Sequence, residues 1–341
     1  MTFTEQDERH LWGGCQIFED DPVIRERSEV YYLPFVQNGH WGVFDAENNI
    51  VLSTIDRWMP QQLPMGQIFT SNIRPSDVTE RLPAGPQYIY GGRYTDHFGH
   101  FVIETLPRLW PLAEEGLRPG QKLIMHGDGS PDWWWRHDYV REVMGALNIR
   151  PEDIIASDRP FTIDRLTIPR ASFGAQDFAH RAFSRLCRSI GEKLLEGWEP
   201  VRDWTPAYWS KTRLKHGVRR FENEPAIIEV MEREGVEIVY PEQVSFAGKL
   251  KMISSRNVIT GSAMSAHHAS VFTQGASRFE MLSPASVMNS NFVIIDRLNG
   301  NRARYYYPDG VREIRPADPT FLVYYELEDP AAVARELLTK L

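Results

Sequence analysis

His100, Glu104 and Arg108 stand four residues apart along one stretch. On a helix that spacing lines them up as a single polar stripe. An imidazole beside a carboxylate is a general-base pair, because the carboxylate orients the ring and favours its protonated form. The same spacing also occurs on solvated helix faces, where each pair adds only about 0.2–0.5 kcal/mol. Spacing alone leaves both readings open.

Two further stretches carry chemistry-bearing types. Ser210 to Glu224 concentrates Lys211, Arg213, Lys215, Arg219 and Arg220 in an otherwise acidic chain. Arginine suits phosphate because its planar fork donates two parallel hydrogen bonds, although a solvated basic loop would read the same. Asn257 to Phe272 runs from an apolar strand through Gly261 and Ser262 into small residues, Ala263, Met264 and Ser265. A helix starting there presents N–H groups and partial positive charge to an anion, but a plain N-cap also fits. His267 and His268 follow, more in keeping with a core or surface than with a ligand. Of three adjacent tryptophans, Trp133 to Trp135, one or two are expected to pack inside, since on a helix they point in different directions.

The elements that position these residues follow from periodicity. Tyr88 to Tyr90 predicts a short buried strand, broken by Gly91 and Gly92. A helix is expected next, with Ile103, Leu106 and Trp110 facing a core and Pro107 and Pro111 kinking or breaking it. Residues 1–60 read as short strands, and 60–87 as an irregular connection. From residue 88 strands and helices alternate, which predicts a largely parallel sheet. One long helix is expected over Trp133 to Leu147 and another over Phe183 to Trp198. A linker falls at 199–207, and a second α/β pattern follows. The tail holds an irregular basic, Tyr-rich stretch (RARYYYPDG), a strand and a last helix from Pro330.

Composition narrows the function. The 341 residues are 42% hydrophobic and 25% charged, the balance of a globular protein large enough for two domains. A net charge of −8 argues against broad nucleic-acid binding. Cys15 and Cys187 cannot build a disulfide framework, and no CxxC spacing offers a zinc site. No apolar run reaches the ~18 residues of a spanning helix, nor does the N-terminus read as a signal peptide; a cytoplasmic protein is expected, with peripheral membrane association left open. P-loop, G-x-G-x-x-G, H-E-x-x-H and G-x-S-x-G motifs are absent. Asp128 to Asp132 lacks the glycine and glutamate of a calcium loop, and no metal is demanded.

Three blocks in order resemble the family 61 glycosyltransferases in their bacterial, surface-polysaccharide form. The first is His97-Phe98-Gly99-His100-Phe101-Val102-Ile103-Glu104-Thr105-Leu106-Pro107-Arg108-Leu109, with His97 where the family has Asn. The second is Trp209-Ser210-Lys211-Thr212-Arg213 followed by Arg219-Arg220-Phe221-Glu222-Asn223-Glu224. The third is Pro241-Glu242-Gln243-Val244-Ser245-Phe246 followed by Val258-Ile259-Thr260-Gly261-Ser262-Ala263-Met264-Ser265-Ala266, with Ser265 in place of the second glycine.

The resemblance implies a GT-B-like α/β fold: two Rossmann-like domains with a central cleft and a short β-rich N-terminal part. The expected domains are 1–200 on the acceptor side, 201–290 for the nucleotide-sugar, and a tail, 291–341, packing back on the N-terminal domain. It implies inverting, metal-independent transfer from a nucleoside-diphosphate sugar to a glycan or lipid-linked glycan acceptor, with no cofactor. His100 is expected as base and Glu104 as its partner or substitute, with His97 and Arg108 on the acceptor side. Lys211, Arg213, Arg219 and Gly261 to Ser265 are expected at the donor, with Glu280 on its ribose. Two alternatives remain: pyruvyl or another group transfer onto polysaccharide, and a non-catalytic carbohydrate-binding assembly protein.

Overall fold

The computed structural model describes residues 2–37, 39–56, 67, 71, 73, 75–275, 277–317 and 319–341, with nothing said of the Glu8 side chain. Much of the expected irregular connection at 60–87 lies outside the described residues. The chain divides into two compact units, residues 13–194 and residues 195–341 together with 1–12.

In the unit 13–194, six strands form one sheet, in the order Gly42–Phe44, Ile24–Leu33, Phe161–Pro169, Gln87–Arg93, Gln121–His126, Ile154–Ile155. The last four run parallel and the first three antiparallel. The sheet is therefore mixed, because the expected N-terminal strands join its edge. Val30, Tyr32, Ile124, Phe161, Ile163 and Leu166 pack as one core cluster.

Gly91 and Gly92 do not end the first predicted strand. They lie inside Gln87–Arg93, where the register slips between Tyr90 and Gly92. Gly92 has φ +86°, and a Cβ there would sit 2.9 Å from Arg108 Cδ. The glycine lets the strand bulge and admits the arginine. The following helix is broken, as its prolines require: an α turn at Phe98–His100, a π turn at Phe101–Thr105, and 3₁₀ turns at Leu106–Arg108 and Trp110–Leu112. The long helix expected over Trp133 to Leu147 is two, Pro131–Trp134 and Asp138–Ala146. Between them Arg136 and His137 both turn to Asp96.

The other unit has a six-stranded sheet in the order Phe3–Gln6, Arg302–Pro308, Arg278–Leu282, Ile259–Ser262, Ala207–Trp209, Glu237–Val239. All neighbours are parallel except the first pair. Numbered along the chain, the parallel strands read 2-1-3-4-5, the order of a doubly wound sheet. Helical segments Glu224–Arg233, Phe246–Ser255, Ser265–Phe272 and Ser290–Asn299 make its crossovers. Two expectations are corrected. The stretch read as irregular, RARYYYPDG, begins with the sheet strand Arg302–Pro308. Residues 291–341 are part of this unit rather than a tail on the other: Phe321–Leu327 pairs with Gly217–Phe221, and Val333 and Leu337 of the last helix share a core with Ile227 and Met231.

Candidate active site

The broken helix places its polar side chains one by one. His100 Nδ1 lies 2.6 Å from Glu104 Oε1, the i, i+4 pair the spacing predicted. With Nδ1–H donating to the carboxylate, the neutral ring carries its lone pair on Nε2. The His100 side chain is about one third exposed and Glu104 one tenth. On its other side, Glu104 Oε2 accepts from Arg93 Nη2 at 3.3 Å and Thr95 Oγ1 at 3.4 Å. Arg93 Nε approaches Asp56 Oδ2 at 3.9 Å, and Asp56 Oδ1 lies 3.5 Å from Arg108 Nη2. A chain of alternating charge thus runs from Glu104 through Arg93 and Asp56 to Arg108. Desolvation pushes the Asp56 carboxyl above its ordinary value, against the pull of Arg108 and Arg93.

Arg108 is almost wholly buried, with only its edge bordering a cavity. Its Nη1 donates to Ser53 O at 2.8 Å and Pro169 O at 2.9 Å, and its Nη2 to Ile55 O at 3.0 Å. The guanidinium also lies 5.1 Å from the Tyr90 ring centre. It braces the segment that carries Asp56, so its geometry is that of a positioning residue. His97 packs edge-on to His100, with ring centres 5.1 Å apart. Desolvation, and then the neighbouring His100, hold its pKa below the ordinary imidazole value.

Sequence reasoning missed Arg93, Thr95 and Asp56. Arg93 had a local signal, a cation at the end of a strand after two glycines. Asp56 had none, since it reaches the site only through tertiary folding.

An open cavity of about 810 Å³ borders this cluster within the same unit. Glu104, Arg93 and Asp56 line one side, and a small sheet of Gln16–Phe18, Phe178–His180 and Phe173–Gly174 lines another.

In the doubly wound unit, the direction of winding reverses between Ala207–Trp209 and Ile259–Ser262. Such switch points, at the carboxyl ends of the strands, are where α/β sheets bind ligands. Lys211 follows the first strand and Gly261 to Ser265 end and follow the second. Gly261 has φ +122°, and a Cβ on it would fall 2.2 Å from Trp209 O, so only glycine allows this approach.

Lys211 does not offer an open ammonium. Its Nζ donates to Ala263 O at 2.7 Å and Arg219 O at 3.4 Å, and the residue is buried. Burial lowers its pKa to about 8. It ties the two strand ends together. Its backbone N–H and the Tyr208 hydroxyl both donate to Glu224 Oε1, each at 3.2 Å.

The neighbouring arginines are more available. Arg213 is exposed, 3.7 Å over the Tyr240 ring, with Nη1 3.0 Å from Gln243 Oε1. Arg219 is half-buried, and among the described residues its guanidinium has no hydrogen-bond partner. The residues after Gly261 enter a 3₁₀ helix, Ser265–Phe272, rather than an α-helix. Within it, His267 Nδ1 lies 3.0 Å from Met264 O. Its ring packs against Trp209 and Phe279, and burial lowers its pKa to about 4.

Glu280 sits in the middle of Arg278–Leu282, not at its end. One carboxylate oxygen accepts from Arg278 Nε at 3.1 Å and the other from the Tyr306 hydroxyl at 2.7 Å. Arg278 in turn holds the carbonyls of Lys340 and Leu341. Each carboxylate oxygen thus already has a donor from within the unit.

Among the described residues, no cluster of three His, Cys, Asp or Glu is placed to hold a metal ion. No helix among them is long and apolar enough to cross a membrane. No curated protein matches the chain in sequence. A family model, that of glycosyltransferase 61, matches residues 98–295, from the His100 segment past the strand ends around Gly261. That span is more than half of the molecule, and the chain belongs to the family 61 glycosyltransferases.

Proposed function

We propose that this glycosyltransferase is inverting and metal-independent, with a GT-B-like fold, and moves a sugar from a nucleoside diphosphate to a hydroxyl of a surface polysaccharide or other glycan. The observation that carries this reading is the 2.6 Å contact between His100 Nδ1 and Glu104 Oε1. It fixes the tautomer with a basic Nε2 and supplies a carboxylate to stabilise the imidazolium that forms. In the reaction, His100 Nε2 takes the proton of the acceptor hydroxyl. The hydroxyl oxygen bonds to the anomeric carbon as the bond from that carbon to the diphosphate oxygen breaks on the opposite face. The diphosphate leaves with the electron pair.

Support for the donor side comes from the doubly wound unit. Arg213 follows the strand Ala207–Trp209 at the winding reversal, and Arg219, in the strand Gly217–Phe221, is joined to it through Lys211 Nζ on the Arg219 carbonyl; guanidinium forks of this kind suit phosphate oxygens. Lys211 acts there as a brace between strands.

The test is paired. His100→Ala and Glu104→Ala should each lower turnover at least about a hundredfold, in the range of lost acid–base catalysis, while nucleoside-diphosphate binding, read by thermal shift, stays intact. Near-normal turnover in both variants removes this segment from the chemistry.

A further inference from the structure

The cavity beside Glu104 carries an imbalance that the catalytic cluster does not use. Among the charged side chains on its walls, Arg93, Arg108, Asp56 and Glu104 are ion-paired among themselves. Asp21 is paired with Arg185. Four others line the cavity with no side-chain hydrogen bond or ion pair among the described residues: Asp20, Arg25 and Arg170, which are exposed, and Asp177. Asp177 is half-buried, and desolvation alone raises its pKa. A ligand hydroxyl seated there replaces water as the donor to this carboxylate.

The unpaired groups are two cations and two anions. An anionic ligand would satisfy the arginines and repel the carboxylates. A neutral ligand rich in hydroxyls satisfies both, because each hydroxyl donates and accepts. Next to Asp177, Phe178 and Phe18 meet edge to face at 5.7 Å, and Phe18 stacks on His180 at 4.9 Å. These half-buried rings give the cavity an apolar wall suited to the C–H face of a sugar ring. The volume, about 810 Å³, falls within the ~300–1,000 Å³ typical of ligand pockets and has room for more than one ring.

The geometry points to this cavity as the acceptor subsite for an uncharged glycan, with Asp177 and Arg170 grasping hydroxyls and Phe178 lying against a ring. Glu104 lines its wall, so a glycan seated there lies beside the His100–Glu104 pair. The assignment rests on the transferase reading above and names the acceptor class for it.

The experiment is saturation-transfer NMR on the full chain with cellotriose, chitotriose and maltotriose as neutral probes and trigalacturonate as the anionic one. Saturation should reach at least one neutral trisaccharide and not trigalacturonate. Asp177→Asn, nearly isosteric, should weaken the neutral probe at least tenfold and leave the thermal shift with uridine or guanosine diphosphate unchanged. Phe178→Ala should do the same; if it unfolds the small sheet, the Asp177→Asn result decides. Transfer to trigalacturonate alone, transfer to no probe, or an unchanged affinity in Asp177→Asn overturns the inference. Glycan binding that depends on Asp177, in a protein that ignores every nucleotide, would sustain the subsite and sink the transfer mechanism instead.

Discussion

Replacing Arg108 by methionine separates a brace from a substrate contact. Methionine keeps much of the apolar stem but removes the guanidinium. The carbonyls of Ser53, Ile55 and Pro169 lose donors at 2.8–3.0 Å, and Asp56 loses the cation 3.5 Å away. A stranded buried polar group costs about 1–3 kcal/mol, and breaking a buried ion pair about 3–5 kcal/mol. Asp56 is about one fifth exposed, which softens its share. The expected loss is therefore about 3–5 kcal/mol. Because the chain has two units, a global unfolding curve would blur it. Native-state hydrogen exchange on the amides of Gln87–Arg93, the strand against which Arg108 packs, reads the local value. Adding Asp56→Asn should return part of the loss, about 1 kcal/mol or more, through coupling. A loss under about 1 kcal/mol, together with a raised acceptor KM, would refute the bracing role and make Arg108 an acceptor contact.

Gly261→Ala should cost several kcal/mol and abolish nucleotide binding, since its Cβ would overlap the Trp209 backbone at 2.2 Å; a thermal midpoint within a few degrees of the parent speaks against the close approach. Arg219→Ala should weaken nucleoside-diphosphate affinity about tenfold or more without changing the acceptor KM, as measured by calorimetry and initial rates. Acid should loosen the strand that carries His126 first, although the raised Asp56 and Asp177 elsewhere in the unit 13–194 act in the opposite direction. Burial lowers the His126 pKa to about 3, so its contribution is present above the ordinary value of 6.5 and is lost as pH falls below it. Its slope is about 1.4 kcal/mol per pH unit. In the other unit His267, lowered to about 4, acts in the same direction, but Asp296, raised to about 6, acts in the opposite one, contributing stability at low pH that is lost as pH rises through about 6. Exchange at pH 6.5 and pH 5, corrected for intrinsic rates, should show Gln121–His126 losing protection more than Arg302–Pro308; equal losses contradict the assignment.

What the sequence revealed depended on how local the cause was. The His100–Glu104 pair was legible because one turn suffices to bring i and i+4 together, even a turn that relaxes to π geometry. The break at Pro107 was legible because proline lacks the donor. Gly91 and Gly92 misled, since glycine permits a turn but does not require one, and Arg108 packing kept them in the strand. Lys211 and Glu280 carried the right charges for a ligand. Their partners, Ala263 O and Tyr306, come from strands brought alongside by the winding of the sheet, and no spacing rule reports that. The two α/β patterns were visible from residue 88 onward, while the membership of Phe3–Gln6 and Arg302–Pro308 in one sheet needed pairing between nearly opposite ends of the chain.

That last pairing has a consequence during synthesis. Phe3–Gln6 leaves the ribosome about 300 residues ahead of its hydrogen-bonding neighbour, Arg302–Pro308. At roughly 5–20 residues per second, the gap is on the order of a quarter-minute to a minute. The nascent chain spends that interval with a short unpaired edge segment, FTEQ, whose glutamate and polar neighbours keep it from sticking to others. Residues 13–194 can collapse meanwhile, so Phe3–Gln6 is held in waiting while a whole unit is made between it and its neighbour.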